Sequence, residues 1–396
     1  MSTMLKMEEA QARALALAPQ MQVEQVAAKA AFGRYLAEDL VAQRTQPPAD
    51  LSAMDGYAVG GDGPWKLVGE SRAGAPFQDE LKPGEAARIS TGAHMAAGSD
   101  RVLIQENAEV IGTEIRCFQD MPASGRHVRR KGFDFATGNV VLAAGMQITP
   151  AAMALAISAG HAQLPVRRVP RIAVLDSGDE LSADPTQCRD DQIPASNGAM
   201  IAAMLAGMGC EVTRTGAVAD DMSALAEALN LADDVDILVT SGGASVGDHD
   251  LLRPALQAWG AELDFWKVAM KPGKPVMIAR RGTQVVLGLP GNPVSSYVTA
   301  FLFLLPMVRR AMGAAAPLPM RVTLPAGCDL PEIGRRREFL RGIWDGAGVT
   351  LAGSQDSSAL VALAQANCLI DRPAGSVRIE AGTYVPAYLL QNGGIA

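Results

Sequence analysis

From residue 171 to residue 312 the chain repeats one pattern: a short apolar run rich in β-branched residues, a break rich in Gly or Asp, then a segment with helical spacing. Arg171 to Leu175, Glu211 to Thr215 and Val235 to Val239 read as strands, with helices over 198–208, 221–231 and 251–259. Three more strands, Leu263 to Val268, Val276 to Arg280 and Val285 to Leu289, precede a long helix from about Val294 to Met312. Ser196 is the expected cap of the 198–208 helix and Gly209 its stop. Alternation of this length predicts a doubly wound, mostly parallel sheet, and such an α/β sheet binds its ligand at the carboxyl ends of its strands.

The suggestive loops fall at such ends. One is Asp176-Ser177-Gly178-Asp179-Glu180; a second is Ser241-Gly242-Gly243-Ala244-Ser245-Val246-Gly247, with Asp248 and Asp250 just beyond; a third is Leu289-Pro290-Gly291-Asn292-Pro293, which enters the long helix. Glycines let several N–H groups converge on an oxyanion, and carboxylates can hold a divalent cation beside it. The alternative for the second loop is a plain strand-to-helix connection in which Asp248 or Asp250 caps the helix. A helix N-terminus at 293 offers free N–H groups to a phosphate. Between the second and third loops, Lys271-Pro272-Gly273-Lys274-Pro275 is a rigid turn carrying two ammonium groups, and Lys267 precedes it as a surface strand residue. Two carboxylate loops and a lysine loop around one crevice point to cation-assisted chemistry on a phosphorylated small molecule.

The remaining chain divides around this block. Residues 7–31 have helical spacing interrupted by Pro19. Asp55-Gly56 is a turn signal ahead of a strand opening at Tyr57, and Trp65 to Val128 alternates short β-like runs with Gly/Pro turns, including Ser90-Thr91-Gly92-Ala93. A basic cluster spans 125–132, with Asp134 after it, and Pro150 starts a helix that Gly160 ends. From residue 318 short strands at 320–324, 338–343, 349–351 and 384–387 read as a small β-barrel or sandwich, with a polar turn at 353–358 leading into a helix over 359–366.

With 396 residues the chain is long enough for several domains and a substantial core. A net charge of −7 argues against a general nucleic-acid binder, so an anionic ligand must meet a local basic pocket. Five scattered cysteines without a C-x-x-C pair argue against a zinc site or a disulfide framework. Glu8 and Glu9 stand where a signal peptide needs its apolar stretch, and the most apolar run, 298–308, is too short to span a bilayer and contains Pro306. The expectation is a cytoplasmic protein with no membrane or nucleic-acid partner.

Read together, Ser52-Ala-Met-Asp-Gly-Tyr-Ala58, Ser90-Thr-Gly-Ala93, Ser177-Gly-Asp-Glu-Leu181, Ser241-Gly-Gly-Ala-Ser-Val-Gly247, Lys271-Pro-Gly-Lys-Pro275 and Leu289-Pro-Gly-Asn-Pro293 stand in the order found in the molybdopterin molybdenumtransferase family, the MoeA proteins and the gephyrin E domain. Nearly the whole chain resembles that family. The resemblance implies four domains: an elongated linking domain of residues 1–24 and 137–167, a β-rich domain over 25–136, a doubly wound molybdopterin-binding domain over 168–317 and a C-terminal β-barrel over 318–396. It implies insertion of molybdate into adenylylated molybdopterin with release of AMP, Mg²⁺ as cofactor, and a homodimer whose active site lies between subunits. Asp55, Thr91, Asp134, Glu180, Lys271 and Lys274 match catalytic positions; Ser241, Gly242, Gly243, Ser245, Pro290, Asn292, Pro293 and Ser357 match substrate-binding positions; Asp221 and Asp250 are the implied metal ligands. Implied partners are the adenylyltransferase that precedes this step and the apo-molybdoenzymes that follow it. Alternatives are that adenylyltransferase activity itself, since the third domain resembles it, or a scaffold role of the gephyrin type. The chain departs from the family pattern at Asp176-Ser177, where a Thr or Ser pair is more frequent, at Ala195, where an Asp is common, and at Asp356 and Ser358, which replace glycines around Ser357. The departures leave a preference for tungstate open.

Overall fold

Strands Ile172–Ser177, Ile237–Ser241 and Gln284–Leu289 are apolar on both faces, and the computed structural model, which describes residues 4–242 and 251–390, buries every residue of all three. They lie in one six-stranded sheet ordered 212–218, 172–177, 237–241, 284–289, 275–281, 262–267. Alternate residues point to opposite faces. Ile172, Val174, Ile237, Val239, Val285 and Leu287 pack under the helical run 293–311 and helix Asn197–Ala206, while Ala173, Leu175, Leu238 and Val286 pack under helices Met222–Asn230 and Leu252–Ala258. The sheet is therefore covered on both sides, as a doubly wound fold requires.

Three of its pairings are parallel, but 284–289 with 275–281 and 275–281 with 262–267 are antiparallel. The sheet is thus mostly parallel, as the alternation predicts, with strand 275–281 alone running against the rest. The connections explain it. Gly282 and Thr283 alone join one pair and residues 268–274 the other, too short for the crossover that parallel strands need.

The long helix forms as expected, with one irregularity. Pro293–Thr299 and Leu305–Ala311 are α-helical, and Ala300–Leu304 between them is π-helical. Pro306 cannot donate to the carbonyl four residues back, Leu302 O. Gln11 Nε2, from helix Met7–Leu17, donates to that carbonyl at 3.0 Å, beside the packing of Met7, Ala10 and Ala14 in the same core. No helix among the described residues is long and apolar enough to cross a membrane.

Residues 23–27, expected to continue a helical region, form strand Val23–Ala27, paired antiparallel with Gln163–Arg167. A partner strand far along the chain, with Val23 opposite Arg167 and Ala27 opposite Gln163, overrides the local helical preference. The β-rich region folds as a six-stranded sheet in the order 101–104, 56–59, 85–89, 65–71, 114–117, 108–111. Gly56 opens strand Gly56–Val59 rather than a tight turn; it is glycine because a Cβ there would lie 2.1 Å from Leu103 O. In the C-terminal region strands Arg337–Trp344, Cys368–Arg372, Tyr384–Leu389 and Val322–Pro325 pair in that order. The bridge from Ala326 to Val349, with Gly327 N–H donating to Val349 O at 2.8 Å, returns the first strand to Val349–Leu351, which pairs with Arg337–Trp344. Gly327 and Gly348 make that closure possible, since a Cβ on Gly348 would sit 2.8 Å from the Gly327 Cα.

Candidate functional site

The chain leaves strand Ile172–Ser177 to form Val212–Val218 on one side of it and then Ile237–Ser241 on the other. This reversal of winding opens a crevice at the carboxyl ends of 172–177 and 237–241. Asp176 lies opposite Ser241 there. Gly242 follows with φ +99, a conformation that favours glycine, and its N–H donates to Leu289 O at 3.2 Å. A Cβ on Gly242 would meet Ser177 O at 2.8 Å, and one on Gly291 would come within 3.8 Å of the Gly242 Cα. Three loop backbones are thus packed side by side. Asn197 clasps two of them: its Nδ2 donates to Ser241 Oγ at 2.9 Å and to Gly291 O at 2.6 Å. Sequence reading gave Asn197 no role; the available signal was an Asn at the first position of a helix facing a strand end.

Ser196 does not cap that helix through its side chain. Asp176 Oδ2 accepts from Gly198 N–H at 3.0 Å instead, and a Cβ on Gly198 would strike that oxygen at 2.1 Å. The helix end is capped from the facing strand. Asp176 is buried and its Oδ1 has no hydrogen-bond partner. Burial pushes its carboxyl up to about 6, against the opposing pull of the Gly198 N–H, Arg214 and the Ser241 hydroxyl.

The third loop enters helix Pro293–Thr299, with Pro290 buried and Pro293 at the first helical position. Ser357 from the C-terminal region meets this end: its carbonyl accepts from Val294 N–H at 3.1 Å and its Oγ accepts from Asn292 Nδ2 at 3.1 Å. The two departures beside Ser357 are mutually satisfied, Asp356 Oδ1 accepting from Ser358 N–H at 2.9 Å and Ser358 Oγ at 2.6 Å. Buried Arg341 props the turn by donating to Ser354 O and Asp356 O.

The lysine loop lies between the sheets. Met270–Lys271 pairs in parallel with Arg337–Trp344 of the C-terminal sheet, and Gly273 is pressed on the long helix, where a Cβ would sit 2.5 Å from Thr299 Oγ1. Lys271 Nζ contacts Glu338 at 3.2 Å. Lys274 is exposed, and its ammonium has no partner among the described residues; its carbonyl accepts from Val268 N–H at 2.9 Å.

The remaining site candidates fall in two places. Asp55 Oδ1 accepts from Thr91 N–H at 2.6 Å and from Thr91 Oγ1 at 3.0 Å, and these bonds hold its carboxyl below the usual range. Asp134 is exposed on the turn after Lys131, whose N–H, with Arg130, binds Asp50. Both belong to the β-rich region. Glu180 is exposed near the doubly wound sheet, where the bond from Asp220 N–H to Asp179 Oδ1 at 3.0 Å ties its loop to Asp221. Asp221 caps helix Met222–Asn230, its Oδ1 accepting from Ser223 and Ala224 N–H at 2.9 and 3.0 Å. Gly243, Ser245 and Asp250 lie outside the described residues, as does Asp248. No group of three carboxylate, His or Cys side chains gathers as a metal site among the described residues.

A backbone cradle of closely packed glycine loops next to two ammonium groups suits an anionic, phosphate-bearing ligand. Residues 5–160 match the MoeA N-terminal region (domains I and II), residues 173–310 a probable molybdopterin binding domain, and residues 323–390 the MoeA C-terminal region (domain IV). The molybdopterin molybdenumtransferase of Haemophilus influenzae is 33% identical over 380 residues, covering 93% of this chain and 94% of that protein. The Bacillus subtilis protein of the same name is 30% identical over 410 residues, covering 98% and 95%. The crystal structure of the molybdopterin biosynthesis MoeA protein of Pyrococcus horikoshii OT3 superposes with a TM-score of 0.84 at 25% identity, covering 98% of this chain and all of that one. With such identity sustained over nearly its whole length, the chain belongs to the MoeA family of molybdopterin molybdenumtransferases.

Proposed function

We propose that this chain inserts molybdate into adenylylated molybdopterin with Mg²⁺-dependent release of AMP, giving the molybdenum cofactor. Family membership makes it a transferase of molybdenum-cofactor biosynthesis. The observation that supports the finer reading is the convergence of the Gly242 and Gly291 backbones with the Lys271 and Lys274 loop on the strand ends, joined by Ser357 from the C-terminal sheet.

In this reading Ser241, Gly242, Gly243, Ser245 and the 290–293 loop bind the phosphate and adenylate, and the lysines hold molybdate, a tetrahedral dianion, near the dithiolene sulfurs. A water or a molybdate oxygen attacks phosphorus; one P–O bond forms as the anhydride P–O bond breaks, with no protein nucleophile. Asp221 and Asp250 would hold Mg²⁺, with Glu180 a further candidate, since that ion needs only one or two carboxylates from the protein. When bound, it neutralises charge on the pyrophosphate. Asp55, Thr91 and Asp134 belong to the second half of the site, contributed by the β-rich region of another subunit in a homodimer. The linking, β-rich, doubly wound and C-terminal β-barrel domains take the boundaries given by the family resemblance. The protein works in the cytoplasm, between an adenylyltransferase and apo-molybdoenzymes.

Incubation with adenylylated molybdopterin, molybdate and Mg²⁺ is expected to release AMP and to yield a product that activates an apo-molybdoenzyme. Pyrophosphate release from ATP and molybdopterin would mean the adenylyltransferase reaction, and absence of both activities a scaffold. Asp221→Asn separates capping from metal binding. Asn caps a helix as well as Asp does, so the melting temperature should hold while the Mg²⁺ concentration for half-maximal AMP release rises about tenfold. An unchanged Mg²⁺ requirement would leave Asp221 a cap alone.

A further inference from the structure

We infer that Glu338, on the C-terminal sheet, is the positioning residue for Lys271, fixing its ammonium at the mouth of the crevice, whereas Lys274 has no such partner among the described residues. The inference rests on the reading that Lys271 meets the oxyanion. Its basis is geometric. Strand Arg337–Trp344 lies parallel to Met270–Lys271 with Glu338 opposite Lys271, and this short ladder is pinned by Arg337 N–H donating to Ala269 O at 3.0 Å and Arg336 Nη1 to Met270 O at 3.4 Å. Both carboxylate oxygens of Glu338 reach Lys271 Nζ, at 3.2 and 3.3 Å. The lysine side chain is 50% exposed and the glutamate 15%, so the carboxylate is the fixed member and the ammonium the one that still faces solvent.

Opposite Glu338 on the adjacent strand Cys368–Arg372 stands Arg372. It is 1% exposed, its Nη2 donates to Val377 O at 2.6 Å, and its Nε and Nη1 have no hydrogen-bond partner. Burial works against the guanidinium's charge, and Glu338 is the group that offsets it. Glu338 therefore ion-pairs with the accessible ammonium and acts on the buried guanidinium through space, without a hydrogen bond to it. The trio Arg372, Glu338 and Lys271 carries a net charge of +1, so the ammonium is placed without cancelling the local attraction for an anion. A lysine otherwise has many rotamers to lose on binding, and pre-placing one removes that cost from the binding step. The consequence is that the C-terminal sheet sets the oxyanion affinity of a loop belonging to the doubly wound domain.

The discriminating variant is Glu338→Asp, which keeps the charge beside Arg372 but shortens its reach to Lys271. It should melt as wild type, raise KM for molybdate about tenfold and change kcat less than about twofold. In a Lys271→Ala background the same substitution should raise KM no further. Glu338→Gln should also raise KM, but with a lowered melting temperature, because Arg372 loses its counter-charge. An unchanged or lowered KM in Glu338→Asp, or an effect that multiplies with that of Lys271→Ala, overturns the inference. If Lys271→Ala alone leaves KM for molybdate unchanged, it is instead the oxyanion role of Lys271 that fails.

Discussion

Asp176→Asn is expected to stabilise the protein by about 3 kcal/mol near pH 8 and to have little effect near pH 4. The carboxyl is buried, and its titration is pushed from the ordinary 3.8 to about 6, first of all by loss of solvation. Between those values the folded protein holds a proton that the unfolded chain has released. Stability is thus fully present below 3.8 and declines as pH rises through about 6, above which the buried charge is a constant penalty. Asparagine keeps an acceptor for Gly198 N–H, the bond that caps helix Asn197–Ala206, and removes the charge. Denaturant unfolding of both proteins across this pH range provides the measurement. A variant no more stable than wild type at pH 8 would mean that Asp176 is paired in its ionised form. The family departure at this position then has a physical reading: a carboxylate on the strand caps the helix that Ser196 leaves uncapped, at a cost in stability above pH 6.

Lys274→Ala should lower kcat/KM for molybdate by about a hundredfold, the effect of losing one charge-assisted contact to a dianion, or somewhat under 3 kcal/mol. Folding should be untouched, because the side chain is exposed and without a partner, while its backbone carbonyl keeps the bond from Val268 N–H. AMP release measured over a range of molybdate concentrations should show the loss mainly in KM. Wild-type KM would reduce Lys274 to a solvated surface charge. Set beside Lys271, which Glu338 already holds, the outcome would also show how much of the oxyanion site is pre-formed.

Much of the site was legible because its signals are local. Tight loops announce themselves by glycine and proline, and the 241–242 and 289–293 loops sit at strand ends, where their composition predicts them. The lysine loop was visible for the same reason. Its partner was not: Glu338 lies 67 residues beyond Lys271, and nothing in the run 335–339 distinguishes it from a solvated charged turn. Asn197 has no function legible in the sequence, since its two acceptors, Ser241 and Gly291, are 44 and 94 residues away. Asp221 carries both readings at once, a metal candidate by family resemblance and a helix cap by geometry.

By itself the sequence determined the order and kind of most elements, the apolar character of the central strands, the loops of the candidate site and the family to which the chain belongs. The elements and loops follow from hydrophobic periodicity and turn stereochemistry, which act over a few residues, and the family from the six motifs standing in order. The tertiary structure decided the reversed direction of strand 275–281, the pairing of 23–27 with 163–167, the cap that Asp176 supplies, the bond from Gln11 to Leu302 and the contact from Lys271 to Glu338. Each joins segments far apart in the chain, where the balance is struck between the entropy of closing a loop and packing gained on the other side of it.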